Sequence, residues 1–142
     1  NTAGETLIQK RAAGKYHSGG LWSNTCCSHP SPGESNEAGA HRRLKEEMGF
    51  DCDLKPVGHL LYTTVFENGL TENEYDHIYK GIYDGSIHAN EEEVMAYEFV
   101  AMEELKNRIA TEARPQGITD DEFIKLKNML DFSLIIYCFL SA

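Results

Sequence analysis

Between Trp22 and Gly49 the sequence changes character once, and that change limits what the chain can fold into. As far as Gly33 it is turn chemistry, because Asn24, Ser28, Pro30, Pro32 and Gly33 interrupt any helix or strand. From Ser35 it turns helical. Ser35 is a suitable N-cap, and Glu37 stands where the positive end of the helix dipole favours an acid. Gly49 is suited to the residue that ends the helix. Ala40, Leu44 and Met48 recur at i, i+4 and i+8 and predict the buried stripe. A loop with Cys27 and His29 is thereby held in front of a helix carrying Glu37, Arg42, Arg43, Glu46 and Glu47. Carboxylates suit hard cations and Arg matches phosphate oxygens in pairs, so this mixture points to a metal-bound phosphate ester.

Around that stretch, the 142 residues make one domain (1–142), and the 41% that are hydrophobic suffice for one core. A formal net charge of -10 argues against nucleic acid and anionic membranes as partners. An anionic ligand must then be met by a local basic cluster or by metal. Cys26, Cys27, Cys52 and Cys138 show neither C-x-x-C spacing nor the density of a disulfide scaffold, so a reducing cytoplasm is expected. The longest apolar run, Leu134 to Leu140, is too short to span a bilayer.

Strands are expected over Thr6–Arg11, Asp53–Phe66, Leu70–Tyr83 and Val94–Val100, with a short extended piece over Leu21–Thr25. Asn68-Gly69 predicts the turn of an antiparallel hairpin. A short helix is expected over Met102–Ile109, and a final one from Thr119 to about Leu140. Elements in this order imply an α/β (α+β) domain with a mixed sheet between helix layers.

Several residues carry two readings. Adjacent residues of an extended segment point to opposite sides, so Cys26 is assigned to the core and Cys27, with His29, to a site. A plain packing role is the common alternative for any Cys. Glu72 and Glu74 share a strand face, where two like charges need a cation, a shared proton or solvent. Glu47 could simply pair with Arg43 one turn away, and Tyr62 could simply pack. Arg11, Lys15 and Arg43 form the positive group in an otherwise acidic chain.

The spacing Glu34, Arg42, Glu46, Glu47, Gly49 resembles the Nudix box, G-x5-E-x7-R-E-U-x-E-E-x-G-U with U apolar. The opening Gly is Ser28 here, and the Glu expected after Arg42 is Arg43. Those departures, with N-T-C-C-S-H-P over Asn24–Pro30 and the later Glu72-Asn73-Glu74, resemble the type I isopentenyl diphosphate isomerases. That branch of the Nudix superfamily shifts a double bond instead of hydrolysing a pyrophosphate.

The resemblance implies a Nudix fold and the conversion of isopentenyl to dimethylallyl diphosphate by proton addition and removal. It implies catalytic roles for Cys27, Glu74 and Tyr62, and a diphosphate held by Arg11, Lys15 and Arg43. It further implies a magnesium ion on the diphosphate, held by Glu47, and a second divalent metal (magnesium, manganese or zinc) on His29, Glu72 and Glu74. Two further His of the family's metal site have no counterpart after Asn1, which implies an N-terminal segment lacking from this chain. The isomerases often carry a C-terminal Trp, whereas the only Trp here is Trp22. Arg43 separates isomerase from hydrolase, because a guanidinium in place of a carboxylate weakens water activation and strengthens phosphate clamping. A Nudix pyrophosphohydrolase is the competing expectation. A zinc-binding module built on Cys26, Cys27 and His29 is a third, although no second ligand pair stands at finger-like spacing.

Overall fold

A computed structural model of the chain describes residues 1–15, 18–65, 71–111 and 138–141, with backbone alone for residues 62, 64, 65, 72, 74, 110, 111 and 138–141. In chain order these form β1 (Glu5–Arg11), β2 (Trp22–Ser23), β3 (Cys26–Ser28), α1 (Asn36–Met48), β4 (Lys55–Val65) and β5 (Thr71–Lys80). There follow β6 (Val94–Ala101), α2 (Met102–Thr111) and β7 (Cys138–Ser141). One sheet has the order β2-β1-β6 and is antiparallel throughout. The other, β3-β7-β5-β4, is mixed, because β3 and β7 run parallel while the remaining pairs are antiparallel.

α1 begins and ends as its sequence requires. The Ser35 hydroxyl accepts from the Ala38 N–H at 3.2 Å, and Gly49 (φ 72°) donates its N–H to the Lys45 carbonyl at 3.0 Å. Ala40, Leu44 and Met48 are fully buried, and they meet Leu7 of β1, Cys26 of β3, Tyr79 of β5 and Val94 of β6 in one core. The helix therefore buries its apolar stripe against strands of both sheets. Its last carbonyls, which no turn of helix can satisfy, are met by the segment before β6. His88 donates its N–H to the Met48 carbonyl at 3.1 Å, and Asn90 donates to that of Glu47 at 2.8 Å. This stitching lays residues 88–93 along the C-terminal end of α1.

Two expectations need correction. The extended piece expected over Leu21–Thr25 contains β2, which joins the first sheet at its pairing with β1, but the residues after it, expected as loop, form β3 from Cys26 and join the second sheet. The chain crosses between sheets at Asn24 and Thr25, and the fully buried Thr25 secures the crossing by donating its hydroxyl to the Leu7 carbonyl at 2.6 Å. The final helix does not reach Leu140, since Cys138–Ser141 is a strand lying between β3 and β5. Backbone groups in that slot are paired on both sides, which outweighs a helical side-chain pattern. The remainder of that expected helix and the Asn68-Gly69 turn lie outside the described residues.

Candidate functional site

The loop that carries Cys27 and His29 is tied to α1 by one acid and one base. Glu34 receives a two-pronged guanidinium from Arg42, Nε to Oε1 and Nη2 to Oε2, both at 2.8 Å. Glu34 Oε2 also accepts from the Ser31 N–H at 2.7 Å, and Arg42 Nη2 reaches the His29 carbonyl at 3.4 Å. The Arg42 hydrogen bonds, and then the Ser31 N–H, pull the Glu34 carboxyl down to about 2. Gly39 lets the loop lie close, because a side chain there would press on Pro30 and on the Glu34 carboxylate. Two of the box residues thus act on the shape of the loop.

Deeper, Glu47 is only 4% exposed. Burying a carboxylate costs free energy unless each oxygen finds a donor, and both do. Oε1 accepts from Arg43 Nη2 at 2.6 Å and Oε2 from Gln9 Nε2 at 2.8 Å. Gln9, itself 2% exposed, also donates to the Thr25 carbonyl at 3.1 Å, joining β1, α1 and the strand crossing. The pairing of Arg43 with Glu47 is therefore partly buried and hydrogen-bonded, unlike a solvated surface bridge. Sequence reasoning passed over Gln9. Standing between Leu7-Ile8 and Lys10-Arg11, it carried no local signal of burial, and only the folded strand shows that its amide must find partners.

Arg43 reaches further. Nη1 donates to Glu46 Oε2 at 2.7 Å, and Nη2 lies 3.5 Å from Glu93 Oε2. Burial disfavours the charged guanidinium, but Glu47, Glu46 and Glu93 together hold Arg43 above its ordinary range. Its Nε is buried with no hydrogen-bond partner among the described residues. Lys15 Nζ contacts the same Glu93 oxygen, and Arg11 acts on that carboxylate through its charge. Burial pushes the Glu93 carboxyl up, yet Lys15, Arg43 and Arg11 outweigh it and hold the group below its usual value. The three cations singled out in the sequence thus gather around one carboxylate.

Cys26 is fully buried in the core and Cys27 is exposed, as is His29. A chelate using both thiols is thereby excluded. Along the second sheet Cys27 lies opposite Phe139 of β7, which in turn lies opposite Ile78 of β5. In the hairpin Tyr62 pairs with Glu74 and Thr64 with Glu72. The side chains of Tyr62, Glu72 and Glu74 lie outside the described residues. Among the described residues no three His, Cys, Asp or Glu side chains converge as a metal-binding group, and no helix is long and apolar enough to cross a membrane. His41 lies with Nδ1 2.5 Å from Asp51 Oδ1 near the end of α1. An open hollow of about 470 Å3 between Ile87–Ala89 and Met95–Tyr97 holds none of the expected site residues.

Comparison with known proteins gives a match to the family described as NUDIX domain over residues 1–121. An isopentenyl-diphosphate Delta-isomerase of Pectobacterium atrosepticum is 50% identical over 109 residues, 77% of this chain and 61% of that protein. That of Burkholderia multivorans is 48% identical over 112 residues, 79% of this chain and 64% of its own length. The chain therefore spans somewhat under two thirds of the length of these relatives. A crystal structure of a protein from Deinococcus radiodurans superposes with a TM-score of 0.65 at 17% identity, covering 92% of this chain and 75% of the other. At that identity the likeness shows the fold alone.

Proposed function

Because the chain belongs to the NUDIX domain family, and its curated relatives are isomerases, we propose that it converts isopentenyl diphosphate to dimethylallyl diphosphate. The observation that carries this reading is the bond from Arg43 Nη2 to Glu47 Oε1 at 2.6 Å. A hydrolase needs a carboxylate free to help activate water. Here the position beside Glu47 is a cation that already engages it, which favours holding phosphate over attacking it.

In this reading Arg11, Lys15 and Arg43 hold the diphosphate, and the Arg43 Nε, buried with no hydrogen-bond partner among the described residues, keeps its donor for an anionic oxygen that reaches it. Glu47 suits a magnesium ion brought in on the diphosphate. Its oxygens keep acceptor capacity beyond the bonds from Gln9 and Arg43, and magnesium ordinarily needs one or two carboxylates besides phosphate and water. His29, Glu72 and Glu74 would hold the second divalent metal, which would orient a carboxylate for proton transfer. Cys27 and, from the hairpin, Glu74 with Tyr62 would exchange protons with the allylic carbons. One proton adds at the terminal alkene carbon to give a tertiary carbocation, and another leaves the carbon nearer the diphosphate. The opposed register of Tyr62 and Glu74 supports a relay between phenol and carboxylate. The substrate is a small prenyl diphosphate, met in the cytoplasm.

Incubation with isopentenyl diphosphate in deuterated buffer tests this. We expect dimethylallyl diphosphate carrying deuterium, with no phosphate released. Release of phosphate or monophosphate without double-bond migration would instead favour the hydrolase.

A further inference from the structure

Arg11, Lys15 and Arg43 are held close together, and three cations in one place repel unless an anion lies among them. In this structure that anion is Glu93. Lys15 Nζ contacts its Oε2, Arg43 Nη2 lies 3.5 Å from the same oxygen, and Arg11 acts on it through its charge. The backbone of Glu93 is pinned. Its carbonyl accepts from the Ala12 N–H at 2.9 Å, and its N–H donates to the Asn90 carbonyl at 2.9 Å. Val94, the next residue, is the register partner of Arg11. The side chain is not so confined: at 23% exposed, it has solvent to turn into.

We propose that Glu93 is the resident counter-ion of the diphosphate cluster, occupying in the free protein the space that the substrate's phosphate oxygens take, and leaving it when they bind. The inference rests on the reading above for the identity of the substrate. Charge accounting supports it. Arg11, Lys15 and Arg43, together with Arg42, which shares Glu46 with Arg43, are balanced by Glu34, Glu46, Glu47 and Glu93, so the unliganded cluster is neutral overall. Once the Glu93 carboxylate turns outward the cluster is positive, as a polyanion requires. The gain is twofold. The cations stay in place without substrate, and the product, which carries the same diphosphate, faces a competitor that speeds its release. The cost is affinity.

Calorimetric titration with inorganic pyrophosphate, paired with thermal melts of the unliganded protein, tests the idea on Glu93→Gln and Glu93→Asp. Glu93→Gln should bind pyrophosphate about tenfold more tightly, as expected for removing one charge near a polyanion in a partly screened site. It should also melt at a lower temperature when empty. Glu93→Asp keeps the charge and should keep nearly the parent affinity. A residue that merely shaped the loop would lose stability and affinity together, so weaker or unchanged binding by Glu93→Gln overturns the proposal. Equal tightening in Glu93→Asp overturns it too, as does the absence of pyrophosphate binding in all three proteins. Isomerisation assayed alongside keeps the two readings apart. Tighter binding without turnover would remove the isomerase and leave the counter-ion, whereas turnover without tightening would do the reverse.

Discussion

Cys26 and Cys27 differ by one position in the chain and lie on opposite sides of the core boundary. Replacing Cys27 with Ala should reduce isomerisation by at least about a hundredfold, the scale of a lost proton-transfer group, with little change in melting temperature. Cys26→Ala should leave turnover largely intact and cost roughly 1 kcal/mol through a small core cavity. Equal loss of turnover in two well-folded variants would show the assignment to be wrong. At Arg43 a carboxylate would meet Glu46, Glu47 and Glu93 at once. Arg43→Glu should therefore raise KM for the diphosphate at least about tenfold on charge grounds, and an unchanged KM would remove Arg43 from the phosphate site. Glu34 gives a test in pH. Its folded carboxyl lies at about 2 against an ordinary 4.5, so its contribution is complete above 4.5 and is lost as pH falls toward 2. Thermal melts should show a shallower loss of stability across that interval in Glu34→Gln than in the parent. The alternating exposure of the two thiols was legible because it follows from extended geometry. The burial of Glu47 was not, because it depends on Gln9, thirty-eight positions away in sequence.

α1 was readable almost to the residue, since each of its signals is local: a hydroxyl before the first turn, an apolar residue every fourth position, a glycine after the last. Gly49 combines a positive φ with close approach to the His88 backbone, which a methyl group would strike. Gly49→Ala should thus cost at least about 1–2 kcal/mol, the penalty for left-handed backbone alone, measurable as a lowered denaturation midpoint. A variant as stable as the parent would mean that the loop at His88 can retreat. β4 and β5 were equally legible, because antiparallel pairing joins neighbours in sequence. β7 was not. Its strand character comes from β3 and β5, more than fifty residues earlier, and nothing within Cys138–Ser141 announces those partners.

At the scale of the whole molecule, β7 joins the strand bearing Cys27 to the hairpin bearing Tyr62 and Glu74. A chain ending at residue 137 would leave facing edges of β3 and β5 without that pairing, and open strand edges invite association. Such a truncation should melt at a lower temperature and scatter more light on standing than the parent, and an unchanged profile would show that β7 contributes little to joining the sheet. The contrast between neighbouring thiols also gives the protein a built-in gauge of its own opening. An alkylating reagent should modify Cys27 rapidly and the partly exposed Cys52 more slowly. Cys26, sealed among Leu7, Leu44 and Met48, should react only in molecules whose core has come apart. Fragment-ion mass spectrometry can separate the two adjacent labels, so their ratio reports both the folded surface and the rare excursions away from it.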